Sequence, residues 1–187
     1  MLQGVRVLAG EYTVRLRSGG ETLEAKASVR LNPNVQASAA DMELNYKAVT
    51  RLERMSYEMD ETMERIRRID AHLDGLSESS QASVKQAAGQ VRTALAAVRD
   101  DLQPPWTDPE HLNLRIKVRE LLAQVNDYSG KPTAPQEEYT GIFENQLNGV
   151  LRRLNGVISG PLAQLNQKLA AAHAQYISSE DSLAVRE

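Results

Sequence analysis

The spacing of the hydrophobic residues changes at Asn32-Pro33, and this change constrains the fold more than any other feature of the chain. After it, apolar residues recur every three or four positions almost to the end of the sequence. Before it, they alternate with polar ones: Tyr12, Val14, Leu16, Leu23, Ala25, Ala27, Val29 and Leu31. Alternation is typical of a half-buried β ribbon, and the longer period is typical of helices. The sequence therefore predicts a mainly α protein, an antiparallel bundle of about four helices preceded by an antiparallel β ribbon.

The ribbon contains two clear strands, Glu11–Arg17 and Thr22–Leu31, and a weaker one around Val5 to Leu8. Gly19-Gly20 joins the two clear strands, because a glycine pair supplies the positive φ angles of a tight hairpin. Two or three strands with a single apolar face are marginally stable in water. We therefore expect the bundle, a missing domain or another chain to cover the apolar face of the ribbon.

Capping signals mark the starts of three helices. Ser38–Asp41, Thr107–Glu110 and Thr133–Gln136 each place a hydroxyl side chain three residues before a carboxylate or an amide. Pro104-Pro105 ends the second helix. At Ser159-Gly160-Pro161 we expect one helix to end and a short last helix to begin, since proline is disfavoured inside a helix and favoured at its first position.

These signals divide the chain into a β ribbon at 1–32, a linker at 33–37, a helical bundle at 38–177 and a polar tail at 178–187. The last helix is predicted to hold Leu162, Leu165, Leu169 and Tyr176. Three glycines in the fourth helix lower its intrinsic stability and are interpreted as points of close approach to a neighbouring helix: Gly141, Gly149 and Gly156.

Composition narrows the classes of function. Hydrophobic residues make up 41% of the 187 residues, enough for a core, and only 4% are aromatic. The formal net charge of −3 argues against nucleic acid as a main partner. The chain has no cysteine, which excludes disulfides, thiolate zinc sites and cysteine nucleophiles. No apolar run is long enough for a signal peptide at the start of this chain or for a membrane span anywhere in it.

The sequence predicts no catalytic, cofactor or metal site. His72, His111 and His173 lie in separate predicted helices, and none has a second ligand at metal-binding spacing. The chain carries no glycine-rich phosphate loop, no G-x-S-x-G elbow and no H-E-x-x-H motif. Trp106 is interpreted as a plug at one end of the bundle, with a ligand platform as the alternative.

Charged residues of the first helix have two interpretations each. The acidic run is predicted to form the solvated side of the helix: Glu58, Asp60, Glu61 and Glu64. Three arginines follow, and we expect them to pair with acids one turn away rather than to grip an anionic partner: Arg65, Arg67 and Arg68.

A partner-binding surface is predicted on two sets of apolar residues. Met55, Met59 and Met63 recur at helical seam spacing, where methionine is most often core. They form a groove for another helix only if the first helix outreaches its neighbours. The second set is the ribbon residues Tyr12, Val14 and Leu16. The expected partner is another protein or a second copy of this chain, and the sequence indicates no particular small-molecule ligand.

Several motifs, in the same order, resemble the C-terminal region of large bacterial sortilin-like BNR-repeat proteins, which are often labelled glycosyl hydrolases. Met63–Ile69 resembles the first helix of that region. Gly10–Leu16 resembles the last strands of the small Ig-like β-sandwich before it. Gly160–Leu162 resembles the point where the chain restarts before the family's final segment. The longest run of similarity comprises Asp108-Pro109, Leu112-Asn113, Ile116-Lys117, Leu121-Leu122, Lys131-Pro132-Thr133, Tyr139, Phe143 and Leu147.

The chain also departs from that family. It has neither the β-propeller nor the Asp-box repeat, and Arg115 stands where the family often has proline. The resemblance implies that the ribbon is the end of a β-sandwich and that the chain is a fragment, a reduced paralogue or a subunit whose missing strands come from a partner. It also implies an extracytoplasmic location, periplasmic or secreted, and no catalytic residue.

The predicted function is a non-catalytic interaction, assembly or spacer module. Two alternatives remain open: an independent helical adaptor or oligomerisation subunit of a larger complex, and an accessory segment of a glycoside hydrolase.

Overall fold

The computed structural model describes residues 6–76, 81–104 and 113–178. These residues are mainly helical and begin with a two-stranded antiparallel ribbon, as the sequence predicts. The elements are β1 Gly10–Ser18, β2 Glu21–Val29, α1 Ala39–Asp74, α2 Ala82–Leu102, α3 Leu114–Asn126, α4 Ala134–Val157, a π-helical turn Ile158–Leu162, and α5 Ala163–Ala171. Residues 6–8 lie outside both strands, so the weaker third strand is not formed in the part of it that is described. Trp106, His111 and the cap at Thr107–Glu110 lie outside the described residues.

β1 and β2 pair in one uninterrupted register, from Gly10 opposite Val29 to Ser18 opposite Glu21. The loop between them is Gly19-Gly20, with φ angles of 57° and 86°. Both angles are those of a type I′ turn, whose twist matches the twist of the strands it joins. The predicted glycine hairpin is therefore confirmed.

Two of the predicted helix starts are capped by their hydroxyl side chains. At the start of α1 the Asp41 N–H donates to Ser38 Oγ at 3.0 Å, and Ser38 Oγ donates to Asp41 Oδ2 at 2.7 Å. At the start of α4 the Thr133 N–H donates to Gln136 Oε1 at 2.9 Å, and the Gln136 N–H donates to Thr133 Oγ1 at 3.4 Å, which is the reciprocal pattern of a capping box. Each hydroxyl satisfies an N–H group that a helix start leaves without a partner.

Contacts divide the chain into two compact units. Unit 1 contains the residues up to Glu53 and Glu120–Thr140; unit 2 contains Arg54–Arg119 and the residues from Gly141 onward. In unit 1, Asn45 Nδ2 donates to the carbonyls of Val125 and Gly130 at 2.9 and 3.1 Å and so fixes the loop between α3 and α4. The core of unit 2 contains the buried apolar residues that α2 carries at three- and four-residue spacing: Val84, Ala88, Val91, Leu95, Val98 and Leu102.

The helix does not end at Ser159-Gly160-Pro161, so the predicted end and restart is wrong. α4 passes through the π-helical turn Ile158–Leu162 into α5, with Pro161 inside the turn. Proline lacks an N–H, and in an α-helix its ring collides with the carbonyl one turn earlier. A π turn is wider and uses a different hydrogen-bond spacing, which gives the ring room without breaking the helix.

α5 ends earlier than predicted, in a left-handed cap at His173, whose φ is 54°. The Ala174 N–H donates to the Leu169 carbonyl at 2.9 Å and the His173 N–H donates to the Ala170 carbonyl at 3.1 Å, which is a Schellman motif. Tyr176 lies beyond this cap and is exposed, so its predicted place in the last helix is wrong.

Beyond the cap the chain folds back onto α5. The Ile177 N–H donates to Asn166 Oδ1 at 2.9 Å, and Asn166 Nδ2 donates to the Ile177 carbonyl at 3.0 Å. Both residues are buried, and the paired hydrogen bonds remove the cost of burying the amide.

The glycines of α4 are not points of close approach, and that interpretation is wrong. A Cβ atom added at Gly141, Gly149 or Gly156 would meet no neighbouring atom within 4 Å in the part of the chain that the structure describes. These glycines lower the helix propensity of α4, and no closer packing compensates for the loss. Replacing them by alanine should therefore raise the free energy of unfolding.

We expect Gly156→Ala to raise the free energy of unfolding by about 1 kcal/mol, the difference in helix propensity between the two residues. The urea midpoint measures this change. The reverse exchange at an exposed interior position of α2, Ala97→Gly, is the matched control and should lower stability by a similar amount. An unchanged or lower midpoint for Gly156→Ala would contradict the assignment of open space beside this glycine.

Candidate functional site

The β ribbon has an apolar face that the rest of the described chain leaves largely open. Val14, Leu16 and Leu23 are 57%, 61% and 64% exposed. They lie together because Val14 pairs with Ala25 and Leu16 with Leu23, and alternate residues of a strand share one face. We call Val14, Leu16, Leu23 and Ala25 the ribbon face. Tyr12, Ala27 and Val29 continue it toward the helices and are partly buried.

The opposite side of the ribbon is polar and internally paired. Arg15 Nε donates to Glu24 Oε1 at 2.6 Å, and Lys26 Nζ donates to Thr13 Oγ1 at 2.8 Å. Both contacts join residues that face each other across the two strands, and each such pair contributes a few tenths of a kcal/mol to about 1 kcal/mol. The ribbon is therefore strongly amphipathic, with a satisfied polar side and an uncovered apolar side.

Both outer edges of the ribbon are open within the described residues, since the sheet there has the order β1-β2 and no further strand. An open edge presents a row of backbone N–H and C=O groups that another strand can pair with. The candidate site thus offers two kinds of contact, an apolar face and two backbone edges.

A cleft lies at the base of the ribbon in unit 1, with a volume of about 280 Å³. Its lining is mainly apolar and includes Leu8, Val29, Leu31, Met42 and Val49. Nearby, the Tyr12 hydroxyl donates to the Leu8 carbonyl at 2.6 Å and fixes the chain that enters β1. Asn45 also lines the cleft, but its amide N–H groups are used to hold the loop between α3 and α4.

The methionines predicted as part of the partner surface have a different environment from the ribbon residues. Met55 and Met59 are each 1% exposed and lie in the core of unit 2, while Met63 is half-buried. Of the six residues predicted for this surface, the most exposed are Val14 and Leu16.

The acidic run of α1 is more than a solvated surface. Asp60 accepts hydrogen bonds from Arg115 and, at 3.2 Å, from Arg119 Nη2. Arg115 also donates to Gln103 Oε1 at 2.7 Å. Asp60 therefore ties α1 to α3 within unit 2, where the sequence predicted only a hydrated side chain.

The arginines of α1 do not form an open anion-binding patch. Arg67 pairs with Glu64 one turn earlier, as predicted for this group, and Arg65 is only 5% exposed. The sequence alone does not predict the pairing of Asp60 with Arg115 and Arg119. The one signal for it is the spacing of four between the two arginines, which places both guanidinium groups on one face of a helix.

Two carboxyl groups of unit 2 have raised pKa values because burial disfavours their charged forms. The effect on the pKa of Glu58 is opposed by Arg54 and reinforced by Glu144. The effect on the pKa of Asp70 is opposed mainly by Arg99 and Arg92. Asp70 Oδ1 is buried and accepts no hydrogen bond from the residues that the structure describes.

Within ranges 6–76, 81–104 and 113–178, no group of three or more His, Asp or Glu side chains is placed to hold a metal ion. His72 and His173 are both exposed. No described helix combines the length and the apolar character needed to cross a membrane.

Comparison with known proteins adds no relative: the chain matches no family model, no curated protein and no solved structure.

The raised pKa of Asp70 predicts a pH-dependent stability difference. The carboxyl group is harder to ionise in the folded state than in the unfolded chain. Ionisation of Asp70 therefore lowers the free energy of unfolding as the pH rises through the ordinary range of an aspartate, and the loss is complete above the folded pKa. We expect Asp70→Asn to be more stable than the parent at pH 7. The difference should vanish near pH 3, where Asp70 is protonated in both states.

Urea unfolding of both proteins at pH 3, 5 and 7 measures this difference. Asp100→Asn, on a half-buried aspartate of α2, is the control. A parent protein more stable than Asp70→Asn at pH 7 would show that the attraction of Arg99 and Arg92 outweighs burial.

Proposed function

We propose that this chain is a non-catalytic interaction or assembly module and that the ribbon face is its contact surface. The observation that carries the proposal is the exposure of Val14, Leu16 and Leu23 side by side on one face. Single exposed aliphatic side chains are ordinary on protein surfaces, whereas a contiguous apolar patch marks a site of interaction.

The energetics favour a covered ribbon face. Complete burial of a valine or leucine side chain contributes about 1.5–3 kcal/mol relative to exposure in water. A partner that covers the three large residues of the ribbon face thus gains several kcal/mol from apolar burial, before the cost of association is subtracted. The polar side already has its own partners, so covering the apolar face requires no ion pair to be broken.

The proposal also keeps what the sequence motifs imply. The resemblance to sortilin-like BNR-repeat proteins supports a role as the C-terminal, non-catalytic part of a larger assembly in an extracytoplasmic location. In that setting the ribbon is the last part of a β-sandwich, and a partner supplies the strands that complete it. The adaptor or oligomerisation alternative uses the same surface with a different partner.

The double variant Leu16→Thr/Leu23→Thr tests the contact surface. Both side chains are exposed in the single chain, so at concentrations too low for association the variant and the parent should have the same thermal midpoint, since surface substitutions usually change stability by no more than about 0.5 kcal/mol. Light scattering gives the native particle mass of the purified chain, and gel filtration followed by detection of a tag gives that of the chain in extracts of its own cells. In both samples the particle mass of the double variant should fall to that of the monomer.

Ile116→Thr/Ile142→Thr is the matched control, because these two aliphatic residues are 52% and 40% exposed but lie in unit 2. It should leave the particle mass unchanged. A parent protein that is monomeric in both settings at every concentration would contradict the interaction function. Glycosidase turnover by the isolated chain, abolished by a point mutation, would instead favour the accessory-hydrolase alternative.

A further inference from the structure

We propose that the partner is a second copy of this chain and that the two copies join through β1, paired antiparallel with Val14 opposite Val14 of the other copy. This inference rests on the proposed function and deepens it, because it names the occupant of the site and the edge that it binds. It combines the register of the hairpin, the order of charges along β1 and the open outer edge of the strand.

The hairpin turn determines which backbone groups face the open edge. In a two-residue type I′ hairpin the pair that closes the loop, here Ser18 and Glu21, is hydrogen-bonded, and hydrogen-bonded pairs alternate along the strands. Tyr12, Val14 and Leu16 therefore direct their N–H and C=O groups toward β2. The outward groups of β1 belong to Glu11, Thr13, Arg15 and Arg17, and those of β2 belong to Thr22, Glu24, Lys26 and Ser28.

The charges along β1 are complementary to a second β1 in one register. With Val14 at the centre, the strand Gly10–Ser18 overlaps its copy along its whole length. Glu11 then faces Arg17 twice, and Tyr12 faces Leu16 twice. Opposite charges and aromatic–aliphatic pairs are favourable cross-strand neighbours, so both faces of the new sheet are matched.

Neighbouring registers of β1 are poorer. A shift that centres the pair on Arg15 places two arginines opposite each other, which is destabilising. A shift that centres the pair on Thr13 shortens the overlap and leaves Leu16 opposite Gly10. Odd shifts move the apolar residues to the polar side and are excluded by the period of two.

The other edge of the ribbon is a weaker site for self-pairing. Centred on Ala25, β2 also places Glu24 opposite Lys26. Its apolar pairs, however, are Leu23 with Ala27 and Ala25 with itself, and Glu21 meets Val29 at the ends. These smaller side chains bury less area than the tyrosine, valine and leucine of β1, so β1 is the favoured edge.

Pairing through β1 produces a four-stranded sheet in the order β2-β1-β1-β2, in which the Tyr12, Val14 and Leu16 side chains of the two copies lie side by side and shield part of each ribbon face. Two-stranded ribbons are marginal in water, while sheets of three or more strands with an apolar face are not. Dimer formation therefore also stabilises the ribbon itself.

Disulfide trapping tests the register directly. The chain has no cysteine, so a single introduced cysteine can only form a disulfide between copies. Across the proposed pair Val14 faces Val14 in a non-hydrogen-bonded position, where Cα atoms are about 4.5 Å apart, within the range that a disulfide spans. We expect Val14→Cys to give a covalent dimer under mild oxidation, at least tenfold faster than Ala25→Cys, its hydrogen-bonded partner on β2.

Two proline variants test whether the contact uses the edge. Thr13→Pro and Lys26→Pro each remove the same Lys26–Thr13 hydrogen bond and each replace an outward N–H, one on β1 and the other on β2. Proline is tolerated where the N–H points away from the sheet. In sedimentation velocity, Thr13→Pro should be monomeric at concentrations where the parent and Lys26→Pro are dimeric.

The outcomes separate the inference from the function on which it rests. Faster trapping of Ala25→Cys, or a dimer lost in Lys26→Pro but kept in Thr13→Pro, overturns pairing through β1 in favour of β2. A dimer kept in both proline variants overturns edge pairing in favour of contact between two ribbon faces. If the purified chain is monomeric at all concentrations while its particle in cell extracts is larger and depends on Leu16 and Leu23, the second copy is excluded and the interaction function stands.

Discussion

A two-stranded ribbon satisfies the backbone of each strand on one side only, and the proposed contact surface follows from this constraint. Within the described residues, β1 and β2 pair with each other and with no third strand. Their apolar side chains share one face because the register from Gly10 opposite Val29 to Ser18 opposite Glu21 is unbroken. The same register that makes the hairpin regular therefore leaves an apolar surface and two backbone edges for another molecule.

The two compact units satisfy their apolar surface differently. Unit 2 buries the seam of α2 and the methionines Met55 and Met59, and it uses Asp60 to join α1 to α3. In unit 1 the apolar side chains of Val14, Leu16 and Leu23 are exposed together on the outer half of the ribbon. The proposed contact residues are therefore different from the core residues, so variants of the ribbon face test the proposed interaction without unfolding the helices.

Local patterns in the sequence predict most, but not all, of the secondary structure. The alternation up to Leu31 and the glycine pair specify the hairpin, and the spacing of hydroxyl and acid or amide side chains specifies the starts of α1 and α4. The prediction of a helix end at Pro161 is wrong because the cost of proline applies to an α-helix, whereas the wider π turn accommodates the proline ring. The left-handed cap at His173 carries no glycine, so the end of α5 had no sequence signal.

Long-range contacts were harder to predict. The alternation of residues in the ribbon shows that one side is apolar, but it does not show what covers that side. The bond of Asp60 to Arg115 and Arg119 joins residues far apart in sequence, and no local pattern identifies such a partner. The glycines of α4 could equally mark close helix contacts or open surface, and only the position of the neighbouring atoms decides between them.

Amide hydrogen exchange, resolved by residue and followed as the protein concentration rises, tests the central claim most directly. The account predicts that the outward amides of Glu11, Thr13, Arg15 and Arg17 become protected with increasing concentration, while those of Thr22, Glu24, Lys26 and Ser28 continue to exchange freely. Equal exchange at both edges at every concentration would contradict the claim that β1 is completed by a second copy of the chain.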